Sequence, residues 1–178
     1  MTDQQWLELA LFAGARDASV LDVRDIPFDE KFRSACEENI CGCYNRNWAC
    51  PPHAGNIHSL IAHARGYDRA LIYITVHSVS GSCEEQEFED VLRAHDEIAR
   101  RLQDGCPPED MLHLSVGACT LCERCKAEEN EPCLYPEHIL PSVSAYGVHV
   151  SAMSEKCGLR YSNGENTITL FGMVLFHI

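Results

Sequence analysis

Four cysteines stand close together in the second half of the chain. Two residues separate each of the first three, seven residues precede the fourth, and Pro136 follows it: Cys119, Cys122, Cys125 and Cys133. Two-residue spacers in a tight loop let three successive thiolates converge on one cubane, and this spacing is the bacterial ferredoxin pattern. The last spacer is longer than in ferredoxin, but a loop of that length can fold back onto the same cluster. The pattern predicts a [4Fe-4S] cluster in residues 119–137, the second cysteine segment.

Zinc is the main alternative at this segment. A zinc ion also takes four thiolates, at about 2.3 Å. Its usual pattern is two separate CxxC pairs, whereas the chain has a continuous CxxCxxC beginning at Cys119. Thiols that bind no metal, or that act in redox chemistry, are a third interpretation. We favour the iron–sulfur cluster because the spacing is that of clusters.

An earlier group of cysteines forms the first cysteine segment, residues 36–55. Its spacers of four, one and six residues match no standard cluster or zinc pattern: Cys36, Cys41, Cys43 and Cys50. Cys50 precedes Pro51 and Pro52, which have no backbone N–H to donate. Gly42 and Gly55 permit unusual backbone angles around a metal. We interpret three or four of these cysteines as metal ligands, with a loop of buried cysteines as the alternative.

Histidines near these segments could also bind a metal, through a ring nitrogen. His53 lies three residues after Cys50. His113 lies on the strand predicted to lead into the second segment, and His138 follows Cys133. A lone histidine is more often a surface or core residue than a ligand, so the cysteines are the predicted donors.

The composition indicates a globular protein of one domain, residues 1–178. No apolar run reaches the roughly 18 residues of a membrane span, and the N-terminal stretch lacks the basic start of a signal peptide. We therefore expect a cytoplasmic protein without a membrane partner.

Eleven cysteines in a reducing compartment indicate metal or redox chemistry. Cys83, Cys106 and Cys157 stand alone and are predicted to be small buried hydrophobes.

The charge of the chain bears on its partners. The net charge is −13, and no basic run is present. Nucleic acid is therefore not expected as a partner. An acidic surface suits docking to a basic protein.

Strands and helices alternate along the chain. Strands are predicted at 19–26, 69–79 and 111–118, and helices at 3–14, 27–36, 57–66, 83–105 and 141–158. The Asn163-Gly164 turn signal predicts a terminal hairpin of residues 158–162 with 167–178. This order predicts an α/β fold: a single layered domain with a mixed, partly parallel sheet flanked by helices and two cysteine-rich metal-binding loops.

The two segments together carry a family resemblance. They read CxxxxCGxYNRxWxCPPxxG at 36–55 and CxxCxxCxxxxxxxCxxPE at 119–137, with GVHV at 147–150 and FGMVLF at 171–176. This resembles the predicted metal-binding, cysteine-rich family catalogued as domain of unknown function twenty-two eighty-four, from about residue 20 to the C terminus. The resemblance implies metal binding, of the iron–sulfur kind, without an established reaction.

The resemblance also implies a set of ligands. They are Cys36, Cys41 and Cys50 in the first segment and Cys119, Cys122, Cys125 and Cys133 in the second. Cys43 stands where we expect the family to have another residue, so it is either no ligand or a replacement ligand of this chain. Seven cysteines suit one four-thiolate cluster and one three-thiolate cluster with an open iron, unless Cys43 or His53 supplies an eighth ligand.

The favoured function is a metal-binding protein with one or two [4Fe-4S] clusters, serving electron transfer or a redox enzyme system together with a redox partner protein. One alternative is an enzyme whose open-site cluster polarises a small substrate, as catalytic metal ions do. Another is a zinc-stabilised scaffold or binding module, because thiolates bind either metal. The residues do not decide between an enzyme and a carrier, and they assign no catalytic side chain.

Overall fold

Four antiparallel strands form the sheet at the centre of the protein. The computed structural model describes residues 1–107 and 110–178. Across the sheet the strands follow the order β1-β2-β4-β3. Their bounds are β1 Asp17–Asp22, β2 Arg69–Ser78, β3 Met111–Leu114 and β4 Thr167–Phe176. Every neighbouring pair is antiparallel. The α/β class is confirmed, whereas the prediction of a partly parallel sheet is wrong.

The position of the last strand explains this difference. β4 pairs with β2 along its whole length and with β3 at its C-terminal end. β2 and β3 therefore point the same way, as their order along the chain suggests, but β4 lies between them. The predicted terminal hairpin is wrong for the same reason. Residues 171–176 of β4 are buried, and a strand that is apolar on both faces is stabilised by a central position.

Helices cover the sheet. In the described part of the chain the α-helices are α1 Asp3–Ala13, α2 Ser34–Glu37, α3 Ile57–Ala64, α4 Glu85–Gly105 and α5 Val150–Cys157. Thr2 and Gln5 form a capping box at the start of α1, and Asn56 caps α3 as predicted. The helix predicted at 141–158 is confined to α5. None of the described helices is long and apolar enough to cross a membrane.

Short 3₁₀ turns occupy parts of the connections. They lie at Val23–Asp25, Glu30–Arg33, Lys126–Glu129 and Pro136–His138. The first replaces the end of the strand predicted at 19–26, and the second continues into α2 over the helix predicted at 27–36. The last two show that regular structure in the second cysteine segment is limited to single turns.

Two hydrophobic cores lie on the two faces of the sheet. On one face α1 and α4 pack against Leu71, Tyr73 and Val174, and the Trp6 ring stacks on Phe176 with centroids 4.3 Å apart. On the other face α3, α5 and the loop before α5 pack against a second set of strand residues: Ile72, Ile74, Met173 and Leu175. The sheet is therefore the middle of three layers.

Gly172 leaves room for the Tyr73 ring. Tyr73 on β2 is the register partner of Gly172 on β4 and is completely buried. A Cβ added at Gly172 would overlap the Tyr73 ring and hydroxyl. Packing, and not an unusual backbone angle, therefore requires glycine at this position.

Gly172→Ala should destabilise the fold. The ring is enclosed between the sheet and α4, and an extra methyl group in a filled core costs about 1–3 kcal/mol or more. Gly81→Ala is the control, because among the described residues a Cβ there meets only the Asn166 side-chain oxygen, at 3.4 Å. Urea unfolding measures both variants. Equal midpoints would contradict this account of the packing.

Polar side chains are buried between the sheet and α4. The Tyr73 hydroxyl lies 2.8 Å from Nε2 of His113. Thr75 Oγ1 lies 2.7 Å from Nδ1 of His95 and 2.8 Å from Nε2 of His77. Burial lowers the pKa of His95 and of His113 to about 3. Both rings are therefore neutral at physiological pH.

Acid should weaken the fold through these two histidines. An unfolded histidine has a pKa of about 6.5, so between about pH 6.5 and pH 3 the unfolded chain binds protons that the folded chain does not. The stabilisation is fully present above this window and falls with pH inside it, by about 1.4 kcal/mol per pH unit for each histidine. His95→Phe should therefore show a shallower loss of unfolding free energy between pH 6 and pH 4 than the wild type.

Urea unfolding across this pH range checks the slope. His58→Phe is the matched control, because His58 is exposed, and it should keep the slope of the wild type. Identical slopes for all three proteins would show that His95 does not carry the acid sensitivity.

Candidate metal centre

The chain leaves the sheet at the edge strand β3, passes through the second cysteine segment and returns beside the end of β3. This segment follows β3 after Gly117, whose φ of +67° lies in the left-handed region. The N–H of Ser115 donates to the carbonyl of Pro141 at 2.8 Å, and the N–H of Val143 donates to the carbonyl of Ser115 at 2.9 Å. These bonds close the loop at its base and fix where the cysteines begin and end.

All four cysteines of the second segment line one cleft, which we call the cysteine cleft. Trp48, Leu121, Lys126, Tyr135 and Ile139 are among its other lining residues. The structure thus brings together the four predicted ligands: Cys119, Cys122, Cys125 and Cys133. Their role as metal ligands stays a prediction.

Backbone N–H groups interact with two of these sulfurs. The N–H of Tyr135 donates to Sγ of Cys133, with an N···S distance of 3.4 Å. Burial raises the pKa of Cys119, and a hydrogen bond from the backbone N–H of Leu121 partly offsets that rise. In both cases the donor lies two residues after the cysteine. Such donors stabilise negative charge on sulfur, as metal thiolates require.

The cysteines of the first segment gather around Cys50. Cys50 is buried, Cys36 and Cys43 are half-buried, and Cys41 is exposed. Burial raises the pKa of Cys50 to about 12, and the thiols of Cys43, Cys41 and Cys36 add to this rise. Cys125 of the second segment also contributes. Three thiols of the first segment and one of the second therefore each lie within electrostatic range of Cys50.

The two segments are docked by hydrogen bonds. The Asn47 side chain donates to the carbonyl of Cys119 at 2.9 Å and accepts from the N–H of Cys119 at 3.3 Å. The Trp48 indole N–H donates to the carbonyl of Glu131 at 3.1 Å. Asn47 is buried, so both of its contacts are shielded from water. Residues 72 positions apart in the chain are thereby held as one unit.

Ion pairs surround the basic residues of the second segment. Arg46 and Arg124 each approach Glu128 to 2.8 Å, and Lys126 approaches Glu129 to 2.8 Å. These hydrogen bonds lower the pKa of both glutamates. Lys126, which is also 3.0 Å from Glu131, lines the cysteine cleft.

Sequence reasoning does not single out Asn47 and Trp48 as site residues. The only signal is their position between Cys43 and Cys50, within the NRxW stretch of the first segment. A polar side chain that binds a distant backbone leaves no periodic pattern, so its partner becomes visible only in the folded chain.

The three histidines considered as additional donors lie in different surroundings. Nε2 of His53 is buried and has no hydrogen-bond partner among the described residues, and its ring centroid lies 4.8 Å from that of Trp48. His138 is exposed, 3.7 Å from Glu137. Nε2 of His113 is hydrogen-bonded to the hydroxyl of Tyr73, which lies on the neighbouring part of the sheet. His53 is therefore the candidate that lies within a cysteine segment and has a buried nitrogen without a partner among the described residues.

The donors suit a thiolate-bound metal, although they are not arranged around one. Within residues 1–107 and 110–178, no group of three or more His, Cys, Asp or Glu side chains stands ready to hold a metal ion. Burial raises the pKa of Cys50 and Cys119, so both are neutral thiols. Metal binding would have to displace their protons and turn the side chains inward, as is usual when binding and folding are coupled.

The fold and these contacts define a cysteine-rich α/β protein whose two cysteine segments dock against each other. The family model described as "Predicted metal-binding protein (DUF2284)" matches residues 19–176. The chain belongs to this family, which confirms the resemblance drawn from the motifs. The family description names no particular metal. No curated protein and no solved structure matches the chain.

Asn47→Ala should loosen the docking of the two segments. The change leaves the backbone N–H and carbonyl of Cys119 without their partner, which costs about 1–3 kcal/mol for buried groups. Arg46→Ala is the matched control, because it removes an exposed ion pair worth about 0–1 kcal/mol. Amide hydrogen exchange at Cys119 should be faster in Asn47→Ala than in Arg46→Ala. Equal exchange rates would mean that Asn47 does not hold the segments together.

Proposed function

We propose that this protein is an iron–sulfur protein whose second cysteine segment holds a [4Fe-4S] cluster for electron transfer or for a redox enzyme system. The ligands are Cys119, Cys122, Cys125 and Cys133. One observation carries the proposal: these four thiols line the same cleft and have the spacing of ferredoxin ligands.

The surroundings of the cleft favour an electron-transfer site over a purely structural one. Its walls include the apolar side chains of Trp48, Leu121 and Ile139, and a dry environment tunes the reduction potential of a cluster. When bound, such a cluster supplies one-electron chemistry. The chain's own contribution is to exclude water, to direct N–H groups at the sulfurs and to keep the site near the surface.

The partner in this proposal is a basic redox protein. The net charge of −13 steers a basic partner towards the chain. Leu134 and Tyr135, which follow Cys133, are 59% and 46% exposed. These apolar side chains stand beside the cysteine cleft, where close contact would shorten the path of an electron.

The first cysteine segment is proposed to hold a second cluster. Cys36, Cys41 and Cys50 supply three ligands, and either Cys43 or His53 supplies the fourth. The buried Nε2 of His53, which has no hydrogen-bond partner among the described residues, supports the histidine. Without a fourth ligand, the exposed Cys41 would mark an open site that a small substrate can reach, which is the enzymatic version of the proposal.

Anaerobic purification followed by iron, sulfide and zinc analysis tests this function. About four irons per chain with matching sulfide would support one cluster, and about eight would support two. Zinc without iron would contradict the proposal and favour a zinc-stabilised scaffold or binding module instead.

Cysteine substitutions locate the site. Cys125→Ser should lose the iron of the second segment, because a serine hydroxyl is a poor replacement for a thiolate. Cys83→Ser, outside both segments, is the matched control and should keep its iron. Circular dichroism verifies that both variants fold. Equal iron contents in the two folded variants would rule out the second segment as the site.

A further inference from the structure

Two cysteines at the exposed part of the first cysteine segment stand one residue apart. Cys41 is exposed and Cys43 is half-buried, and the backbone bends at Gly42 between them. The neighbouring Ile40 is 79% exposed, so this part of the segment projects into solvent. A reagent in solution can therefore reach Cys41, whereas Cys50 of the same segment is buried.

Asn39 holds the turn that contains these two cysteines. Its backbone carbonyl accepts a hydrogen bond from the N–H of Gly42 at 3.0 Å, and its side-chain oxygen accepts one from the N–H of Tyr44 at 2.9 Å. Both residues that flank Cys43 are thus tied to Asn39. The φ angles of Asn39 and Gly42 are +54° and +73°, a region that asparagine and glycine adopt more readily than other residues. The residue types of this turn therefore suit its backbone.

The side chain of Cys43 lies against residue 41. Its Sγ donates to the backbone carbonyl of Cys41 at 3.5 Å. Burial raises the pKa of Cys43, and the nearby thiol of Cys41 adds to this rise. A disulfide needs Cα atoms about 4.4–6.8 Å apart. Because consecutive Cα atoms are about 3.8 Å apart, two cysteines that flank a bend meet this requirement.

Cys36 is the competing partner for Cys41. It lies in α2, five positions earlier in the chain, and its pKa is raised by burial and then by the thiol of Cys41. Among the described residues, however, Cys43 is the cysteine whose sulfur is hydrogen-bonded to residue 41. The contacts therefore favour Cys43, and an oxidation experiment has to distinguish the two pairings.

We propose that Cys41 and Cys43 form a reversible intramolecular disulfide, and that this disulfide and a metal bound through Cys41 exclude each other. The first part does not depend on any metal. The second part rests on the proposed role of Cys41 as a ligand, because a sulfur in a disulfide has no thiolate to give to a metal. The exposed turn would then make metal loading of the first segment sensitive to oxidants.

Exchange with a small disulfide is the chemistry of this step. The thiolate of Cys41 attacks one sulfur of oxidised glutathione, whose S–S bond breaks, and one glutathione leaves. The thiolate of Cys43 then attacks Sγ of Cys41 in the mixed disulfide, and the second glutathione leaves. The two protein thiols lose two electrons and two protons, which the two molecules of reduced glutathione carry away. An excess of reduced glutathione drives both steps backwards.

Oxidation of the metal-free, reduced protein tests the disulfide. After equilibration with oxidised glutathione, the free thiols are blocked with N-ethylmaleimide and the protein is cleaved with trypsin. The fragment of residues 34–46 carries Cys36, Cys41 and Cys43. Mass spectrometry should show a blocked Cys36 and the loss of two hydrogens between Cys41 and Cys43. Reduced glutathione should restore both thiols.

Two variants identify the attacking thiol. In Cys43→Ser the second thiol is missing, so Cys41 should stop at the mixed disulfide and the fragment should gain the mass of one glutathione. Cys36→Ser is the matched control, because it removes a cysteine from the same fragment, and it should still form the Cys41–Cys43 disulfide.

Zinc ions serve as the probe for mutual exclusion, because they bind thiolates and are not themselves oxidised. Wild-type protein saturated with zinc before glutathione is added should keep Cys41 and Cys43 out of the disulfide. The mapped fragment reports on the first segment alone, so zinc at the second segment does not affect this result.

Two kinds of result would overturn the proposal. In the metal-free wild type, a bond between Cys36 and Cys41, or thiols at Cys41 and Cys43 that stay free in excess oxidised glutathione, would refute the disulfide. Full formation of the disulfide in zinc-saturated protein would refute the exclusion. Neither result would alter the iron content on which the cluster proposal stands, because that content is measured on anaerobically purified protein.

Discussion

The pairing of β4 between β2 and β3 is the constraint on which the rest of the structure depends. It is the longest strand contact of the sheet, and it supplies buried residues to both hydrophobic cores. By occupying the centre, β4 leaves β3 at the edge, where the second cysteine segment can depart into solvent. It also sets Gly172 beneath Tyr73, so that the Tyr73 hydroxyl reaches His113 on the far side of β4. The buried contact of Tyr73 with His113 and the position of the second cysteine segment therefore both follow from the placement of β4 between β2 and β3.

The cysteine segments are held by specific polar contacts more than by a shared apolar core. The hydrogen bonds of Asn47 with Cys119 are buried, whereas the ion pair of Arg46 with Glu128 is largely exposed on the arginine side. Only the hydrogen bonds of Asn47 are protected from water and salt. They hold the backbone of Cys119, the first cysteine of the second segment. This arrangement holds the backbones of the two cysteine segments together at Cys119.

The sequence predicts the local elements well because their signals are local. The apolar stripe and the Asn56 cap define α3, and the continuous apolar run defines β2. The sheet order is different, since an α-helix between β2 and β3 gives the same pattern whether these strands are neighbours or are separated by β4. Likewise the cysteine spacing identifies the candidate ligands, but Asn47 and His113 acquire their meaning from partners far away in the chain. Such pairings depend on the whole fold, so a short stretch of sequence does not reveal them.

The second cysteine segment and the residues after it line two clefts. The stretch from Cys133 to Ile139 contributes to the cysteine cleft, and Ile139 also lines a second cleft between the end of α4, β3 and residues 136–141. Within the described residues no three of the cysteine side chains stand ready to hold a metal ion. The bonds of Ser115 with Pro141 and Val143 hold the base of the loop. The proposed cluster would therefore require its four ligands to rearrange within a loop whose two ends are fixed to the sheet.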